Sequence, residues 1–206
     1  MKLYGYPGTC SLAPHIALHE LGIPHEFKLV DIRKGEGQLP DYLELNPMGQ
    51  VPVLVGEHGE VLTEVSAILI YLFQQHGQID VPIYQSVRHL SFISSELHRN
   101  FYPQFFAKQI LGEDSPQLAR LVGHFEERVE KRWDYVDDLL PAFEDFEGGA
   151  MGPADPYLYT VCRWWLRLGH SFERHQSIPG FLAHMESRES VRKALALESL
   201  EPVANL

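Results

Sequence analysis

Basic residues, cysteines and long apolar runs are all scarce in this 206-residue chain. Each shortage removes a class of function. There are 17 Lys and Arg against 28 Asp and Glu, a formal net charge of -11 at pH 7. With no cluster of basic residues either, a nucleic-acid footprint is excluded. Two cysteines, Cys10 and Cys162, are too few for a secreted disulfide framework and predict a reducing compartment. No apolar run approaches the ~20 residues of a membrane span. Met1 to Tyr6 is too short for a signal-peptide core, so a cytoplasmic protein without membrane partners is expected. Histidine is plentiful, at 11 residues, but poorly spaced for metal. Only His15 and His19 form an i, i+4 pair of interest on the first helix. With no third ligand apparent they read as a packing or solvated pair, and no metal site is expected.

What is present divides the chain in two. Up to about Gly77, strand and helix signals mix. Lys2 to Tyr6 reads as a strand, and Ser11 to Leu21 as a helix stopped by Gly22. His25 to Ile32 alternates like a strand. Pro52 to Val55 and Glu60 to Leu62 read as a hairpin around Gly56-Glu57-His58-Gly59. Glu64 to His76 has helical spacing. The order βαβ, hairpin, helix predicts a small α/β domain over residues 1–77. Gly77 to Ile83 reads as a linker. From Tyr84 onward strand signals vanish. Helices are predicted over Tyr84 to Leu111, from Ser115-Pro116 to Pro141, from Pro153 to about Gly169, and near Gly180 to Ser187 and Ser190 to Leu197. Residues 84–206 are therefore expected to form an all-helical domain.

Cys10 is the most informative residue. It stands between the first strand and the first helix, and Pro14 is tolerated only within a helix's first turn. The thiol therefore sits at or just before a helix N-terminus, where the dipole and free N–H groups favour an anion. A lowered thiol pKa and a reactive cysteine are one reading. A buried cysteine acting as a small apolar group is the other.

Five blocks of sequence resemble the beta-class (bacterial) glutathione transferases, in order and at family spacing. They are Met1-Lys2-Leu3-Tyr4 followed by Pro7-Gly8 and Cys10-Ser11-Leu12-Ala13-Pro14-His15-Ile16; Leu45-Asn46-Pro47-Met48-Gly49-Gln50-Val51-Pro52-Val53-Leu54; Leu62-Thr63-Glu64; Glu96-Leu97-His98-Arg99; and Ala154-Asp155-Pro156-Tyr157-Leu158. The resemblance implies a thioredoxin-like N-terminal domain with a cis Val51-Pro52 peptide. It also implies glutathione as co-substrate, small hydrophobic electrophiles as second substrates, and a homodimer, for which Ile68, Leu69, Tyr71, Leu72 and Phe73 look like a spare apolar face. It places Cys10, Ser11 and His98 in catalysis. Lys34, Gln50, Val51, Pro52, Glu64, Val65, Ser91, Ser95, His98 and Arg99 fall to glutathione binding. Ser91, Ser95, His98 and Tyr102 share one stripe on an unbroken helix. Tyr102, Phe105, Phe106 and Trp164 are candidates for a hydrophobic pocket wall, with core packing the alternative.

The chain departs from the family at Val65, where Ser or Gly is usual; at Met48, where Lys is usual; at Ser91, often Asn; and at Gly152, a Ser/Thr capping position, leaving Asp155 without its usual partner. Val65 lacks a hydroxyl and would crowd the γ-glutamyl group. Three functions stay open on this reading: conjugation or thiol–disulfide exchange, a glutathione-dependent isomerase or dehalogenase, and a non-catalytic binding protein on the transferase fold.

Overall fold

The computed structural model describes residues 1–76, 82–140 and 150–205. Strand β1 (Lys2–Gly5) leads through a six-residue loop into helix α1 (Leu12–Glu20), then β2 (Glu26–Leu29). A short helix α2 (Pro40–Leu45) follows, then the hairpin β3 (Val53–Val55) and β4 (Val61–Thr63), and α3 (Val65–Gln75). The sheet order is β2-β1-β3-β4. β1 and β2 run parallel, with Leu3 opposite Phe27; β3 is antiparallel to both β1 and β4. This is the thioredoxin-like arrangement that the βαβ-hairpin-helix order predicts. Helix α2 was not foreseen. Its pattern is short and carries Pro40 at its start, and six residues leave little periodicity to read.

The remaining elements are helical: α4 (Ile83–Phe92), α5 (Tyr102–Leu111), α6 (Leu118–Leu139), α7 (Asp155–Arg167), α8 (Ile178–Ser187) and α9 (Glu189–Leu197). Helix α6 begins at Leu118, not at Pro116. Ser115 Oγ bonds the Gln117 side chain in a preceding turn instead of capping the helix. The expected stop at Pro141 and most of the expected linker, 77–81, lie outside the described residues.

The single helix expected over Tyr84 to Leu111 is broken. A π-turn over Ile93–Leu97 and a 3-10 turn over His98–Phe101 separate α4 from α5. Pro103 supplies the reason. It has no N–H to donate, and its ring excludes the carbonyl four residues back, so the ladder rearranges before it.

The two parts of the chain share one apolar cluster. It runs from Leu3, Leu12 and Ile16 through Ile68, Leu72 and Phe73 to Trp133, Tyr157 and Leu195. Helix α1 packs on the sheet and α3 from one side and on α7 and α9 from the other, and is buried from Leu12 to Leu18. Ile68, Leu69, Leu72 and Phe73 are fully buried within the chain. These four are therefore not a spare face for dimerisation, because α1 and α4 pack against α3; of the assigned residues only Tyr71 is partly exposed.

The start of helix α8 shows how a partly buried charge is used. The Asp137 carboxylate accepts from the N–H groups of Gln176, Ser177 and Ile178. Burial works against its ionisation, but these three donors outweigh it and hold its pKa below the usual value. Gly152 keeps part of the capping box in a similar way. Its N–H donates to the Asp155 carboxylate at 2.7 Å, so Asp155 does have a partner at this position.

Gly5 closes β1 against α1. A Cβ there would lie 2.6 Å from Ser11 Oγ and 2.9 Å from the Phe27 ring. Gly5→Ala is expected to destabilise by about 1–3 kcal/mol, at about 2–4 °C of melting midpoint per kcal/mol. Thermal unfolding checks this, and an unchanged midpoint would refute the crowding.

Candidate active site

The loop between β1 and α1 is built around Ser11. Ser11 is fully buried, and its Oγ accepts from the Tyr6 N–H at 3.1 Å. The Thr9 and Ser11 hydroxyls lie 2.7 and 3.1 Å from the Tyr6 carbonyl. Ser11 is thus committed to shaping the loop. This corrects its assignment as a catalytic group: with no exposed surface, the hydroxyl has no access to a substrate. The far end of the chain holds the same loop. Trp164 Nε1 donates to the Gly8 carbonyl at 2.8 Å, and the Glu198 carboxylate accepts from the Gly8 N–H at 2.9 Å. Gly8 has φ +72, a backbone region that favours glycine, and a Cβ would lie 2.7 Å from the Arg167 guanidinium.

Cys10 sits at the end of this loop, two residues before α1, as its position between strand and helix predicts. Its Sγ–H donates to the Val51 carbonyl at 3.4 Å. The Val51-Pro52 peptide is cis. The preceding turn is fixed by α2: the Gln50 carbonyl accepts from the Tyr42 hydroxyl at 2.7 Å and from Asn46 Nδ2 at 2.8 Å.

Glu64 is the residue immediately before α3 and has φ 66, unusual for a side chain other than glycine. Such backbone costs of order 1–3 kcal/mol and concentrates at functional sites. Its carboxylate is exposed and close enough to act on the Cys10 thiol.

The thiol's electrostatics differ from the expectation. Burial pushes Cys10 up to about 12. The N–H groups of Cys10 and Ser11 pull the other way, as a helix N-terminus should, but Glu64 adds to the upward push. His98 does not favour a thiolate by charge either. Burial lowers it to about 4, so it is neutral at pH 7. Its Nδ1 lies 2.6 Å from the Tyr157 hydroxyl, whose own pKa is raised first by burial and then by the Cys10 and Glu64 charges. Cys10 in this state is a neutral thiol.

The predicted residues divide. Cys10, Val51, Pro52 and Glu64 come together, and His98 joins them through Tyr157. The expected stripe does not survive the π-turn, which inserts an extra residue per turn and shifts register. His98 turns inward, while Ser91, Ser95 and Tyr102 are exposed and Ser95 Oγ donates to the Ser91 carbonyl at 2.8 Å. Lys34 is exposed and pairs with Asp31 at 3.4 Å. Gln50 and Arg99 are exposed as well. Val65 is 6% exposed and belongs to the apolar cluster, so its side chain does not crowd a ligand as expected.

The aromatic residues divide between packing and an open wall. Trp164 is buried, but Tyr102 and Phe105 are 52% and 42% exposed. Phe105 and His98 both stand edge-on to Trp164, at 5.6 and 4.7 Å between centroids, and Tyr102 lies 4.5 Å from Phe106. An open aromatic wall therefore leads from α5 to His98. Sequence reading missed Tyr42, Tyr157 and Glu198, which act over separations of up to 190 residues with no local signal.

Residues 8–75 match the family model for the glutathione S-transferase N-terminal domain. Glutathione S-transferase GstA of Escherichia coli O157:H7 is 34% identical over 211 residues, covering 98% of this chain and all of the relative. The solved bacterial beta class enzyme of Sphingomonas chungbukensis superposes with TM-score 0.81 at 32% identity, covering 98% of this chain and 100% of its own. A sphingomonad glutathione S-transferase complexed with glutathione gives the same TM-score, identity and coverage. Similarity from end to end, in sequence and in backbone, makes this chain a member of the glutathione S-transferase family.

Proposed function

We propose that this protein is a glutathione transferase in which glutathione lies extended beside Val51, with its sulfur at Cys10. The observation that carries the reading is the meeting of Cys10 Sγ with the Val51 carbonyl at 3.4 Å, beside the Glu64 carboxylate. An extended tripeptide would pair its backbone with Val51 as an added strand does. The ammonium of its γ-glutamyl group would meet Glu64. The α-carboxylate would meet the free N–H groups opening α3, at Val65 and Ser66.

Glu64 raises the Cys10 pKa. A ligand ammonium at Glu64 removes that effect and brings a neighbouring sulfur closer to ionisation. Two reactions then follow. In conjugation, the glutathione thiolate attacks an electrophilic carbon; the S–C bond forms as the leaving group departs with its electron pair. In exchange, the Cys10 thiolate attacks a glutathione-containing disulfide, giving a Cys10–glutathione mixed disulfide and releasing the other thiolate. A Tyr157 hydroxyl donating to Nδ1 would leave the His98 proton on Nε2, where it can donate to sulfur. Tyr102, Phe105, Phe106 and Trp164 would receive a hydrophobic electrophile. Both cysteines are unpaired, which fits a reducing, cytoplasmic setting, and no helix among the described residues is long and apolar enough to cross a membrane.

Cys10→Ala should abolish thiol–disulfide exchange and largely keep conjugation, both assayed with glutathione. Exchange fully retained by the variant would rule out Cys10 as the redox nucleophile.

Val65 turns its side chain into the apolar cluster, so only its backbone N–H is offered to a ligand. Val65→Ser should lower the melting midpoint, because buried apolar surface is lost. Glutathione affinity should stay within about threefold, because the new hydroxyl would lie in the core. Calorimetric titration well below the midpoint reads this, and a tightening of about tenfold would show that the side chain faces the ligand.

A homodimer is part of the proposal. Its interface must use surface other than the buried face of α3, and Ile83, Tyr84 and Val87 offer exposed apolar area on α4. Light scattering at micromolar concentration should give twice the 23.6 kDa chain mass, and a monomer would contradict the dimer.

A further inference from the structure

The pair His15 and His19 does have a third partner. The turn after α1 and the opening of β2 bring His25 against them, so that one ligand nitrogen from each of the three lies within 4.8 Å of the others. The ring centroids of His15–His19, His15–His25 and His19–His25 are 4.9, 5.3 and 4.7 Å apart. The expectation that this pair stands without a third ligand is therefore corrected. Sequence spacing concealed it because His25 lies outside the helix, in the connection just before β2.

Two features point to a ligand rather than to packing. First, Nε2 of His15 and Nε2 of His19 are buried with no hydrogen-bond partner, and His15 is fully buried. An unpartnered buried imidazole nitrogen is costly unless something binds it. Second, two of the three rings, His15 and His25, are held through Nδ1. His15 Nδ1 lies 2.8 Å from the Glu198 carboxylate, and His25 Nδ1 lies 2.8 Å from the Ile23 carbonyl. A carboxylate or carbonyl on one nitrogen fixes the proton there and leaves the other free to ligate.

We propose that His15, His19 and His25 bind a divalent transition-metal cation of the zinc class. Three imidazoles with an open fourth position for water suit Zn2+ and its neighbours in the first transition row. Metal–nitrogen distances near 2.1 Å need nitrogens about 3.3 Å apart, so the ligands close by roughly 1.5 Å at most from the 4.8 Å limit. The partly exposed His19 and His25 supply the movement and the entry path. The charges facing the cluster are the Glu198 carboxylate at His15, the Lys193 ammonium towards His19 and the N-terminal ammonium towards His25. Lys193 is itself paired with Glu189 at 2.7 Å.

The site is separate from the Cys10 chemistry. His15 and His19 stand about 4.5 and 10.5 Å along the α1 axis from its first residue, Leu12, at about 1.5 Å per residue, and Cys10 lies two residues before that. Its role is a clamp. A cation would tie the α1–β2 turn to α1 and, through Glu198, to the Gly8 N–H in the thiol loop.

The test uses the full chain, stripped with a chelator and titrated with Zn2+ alone. One Zn2+ per chain is expected by calorimetry and by metal analysis after dialysis. At free Zn2+ a hundredfold above Kd the melting midpoint should rise by about 5–10 °C. The variant carrying His19→Gln and His25→Gln should lose stoichiometric binding while its metal-free circular dichroism matches the parent. Cys10→Ser should still bind one Zn2+. Should the double variant fail to fold, His25→Gln alone is decisive, with affinity falling at least about 100-fold, since loss of an outer-shell partner already costs about 10–100-fold. Absence of saturable binding to the parent chain, binding retained by the histidine variants, or binding lost in Cys10→Ser would each overturn the site.

Discussion

The thiol loop depends on one residue held from two directions. Gly8 gives its carbonyl to Trp164 on α7 and its N–H to Glu198 just beyond α9. A loop between a strand and a helix would otherwise be free to fluctuate. Here both backbone groups are fixed by the far half of the chain, so Cys10 is positioned by residues more than 150 positions away. Helix α1 extends the same logic. It is buried between the sheet and α3 on one side and α7 and α9 on the other, so the helix that follows the thiol loop is also the centre of the shared core.

That burial has a chemical consequence. Desolvation opposes a thiolate more strongly than the two helix-opening N–H groups favour one, and Glu64 opposes it further. The free site therefore protects its sulfur as a neutral thiol. On the proposed reading, the ligand's own ammonium relieves Glu64, so activation and binding of the right tripeptide are a single event. The left-handed backbone of Glu64 belongs to the same arrangement, since such strain persists only where surrounding structure holds it.

The break between α4 and α5 is the second device that shapes the cleft. Pro103 interrupts the ladder, the π-turn shifts the register, and His98 turns inward to Tyr157 while Tyr102 and Phe105 stay open to solvent. An unbroken helix would have set Ser91, Ser95, His98 and Tyr102 on one face. The result separates a polar, buried contact near sulfur from an exposed aromatic wall suited to apolar substrates.

The sequence by itself determined most of the elements and their order, though not α2 or the break between α4 and α5. The period-2 runs of β1 and β2, the hairpin around Gly56 to Gly59, the stop at Gly22 and the placement of Cys10 before α1 all follow from local backbone preference, which acts over a few residues. The resemblance added the cis peptide at Val51-Pro52 and the grouping of Cys10 with Glu64. Only the tertiary structure decided the protonation state of Cys10, the commitment of Ser11 to its loop, the burial of Val65 and of the α3 face, and the meeting of His25 with His15 and His19. Each of these depends on which distant segment lies against the residue. Solvation and long-range contact set a side chain's charge and reach, and neither has a signature in the spacing of its neighbours along the chain.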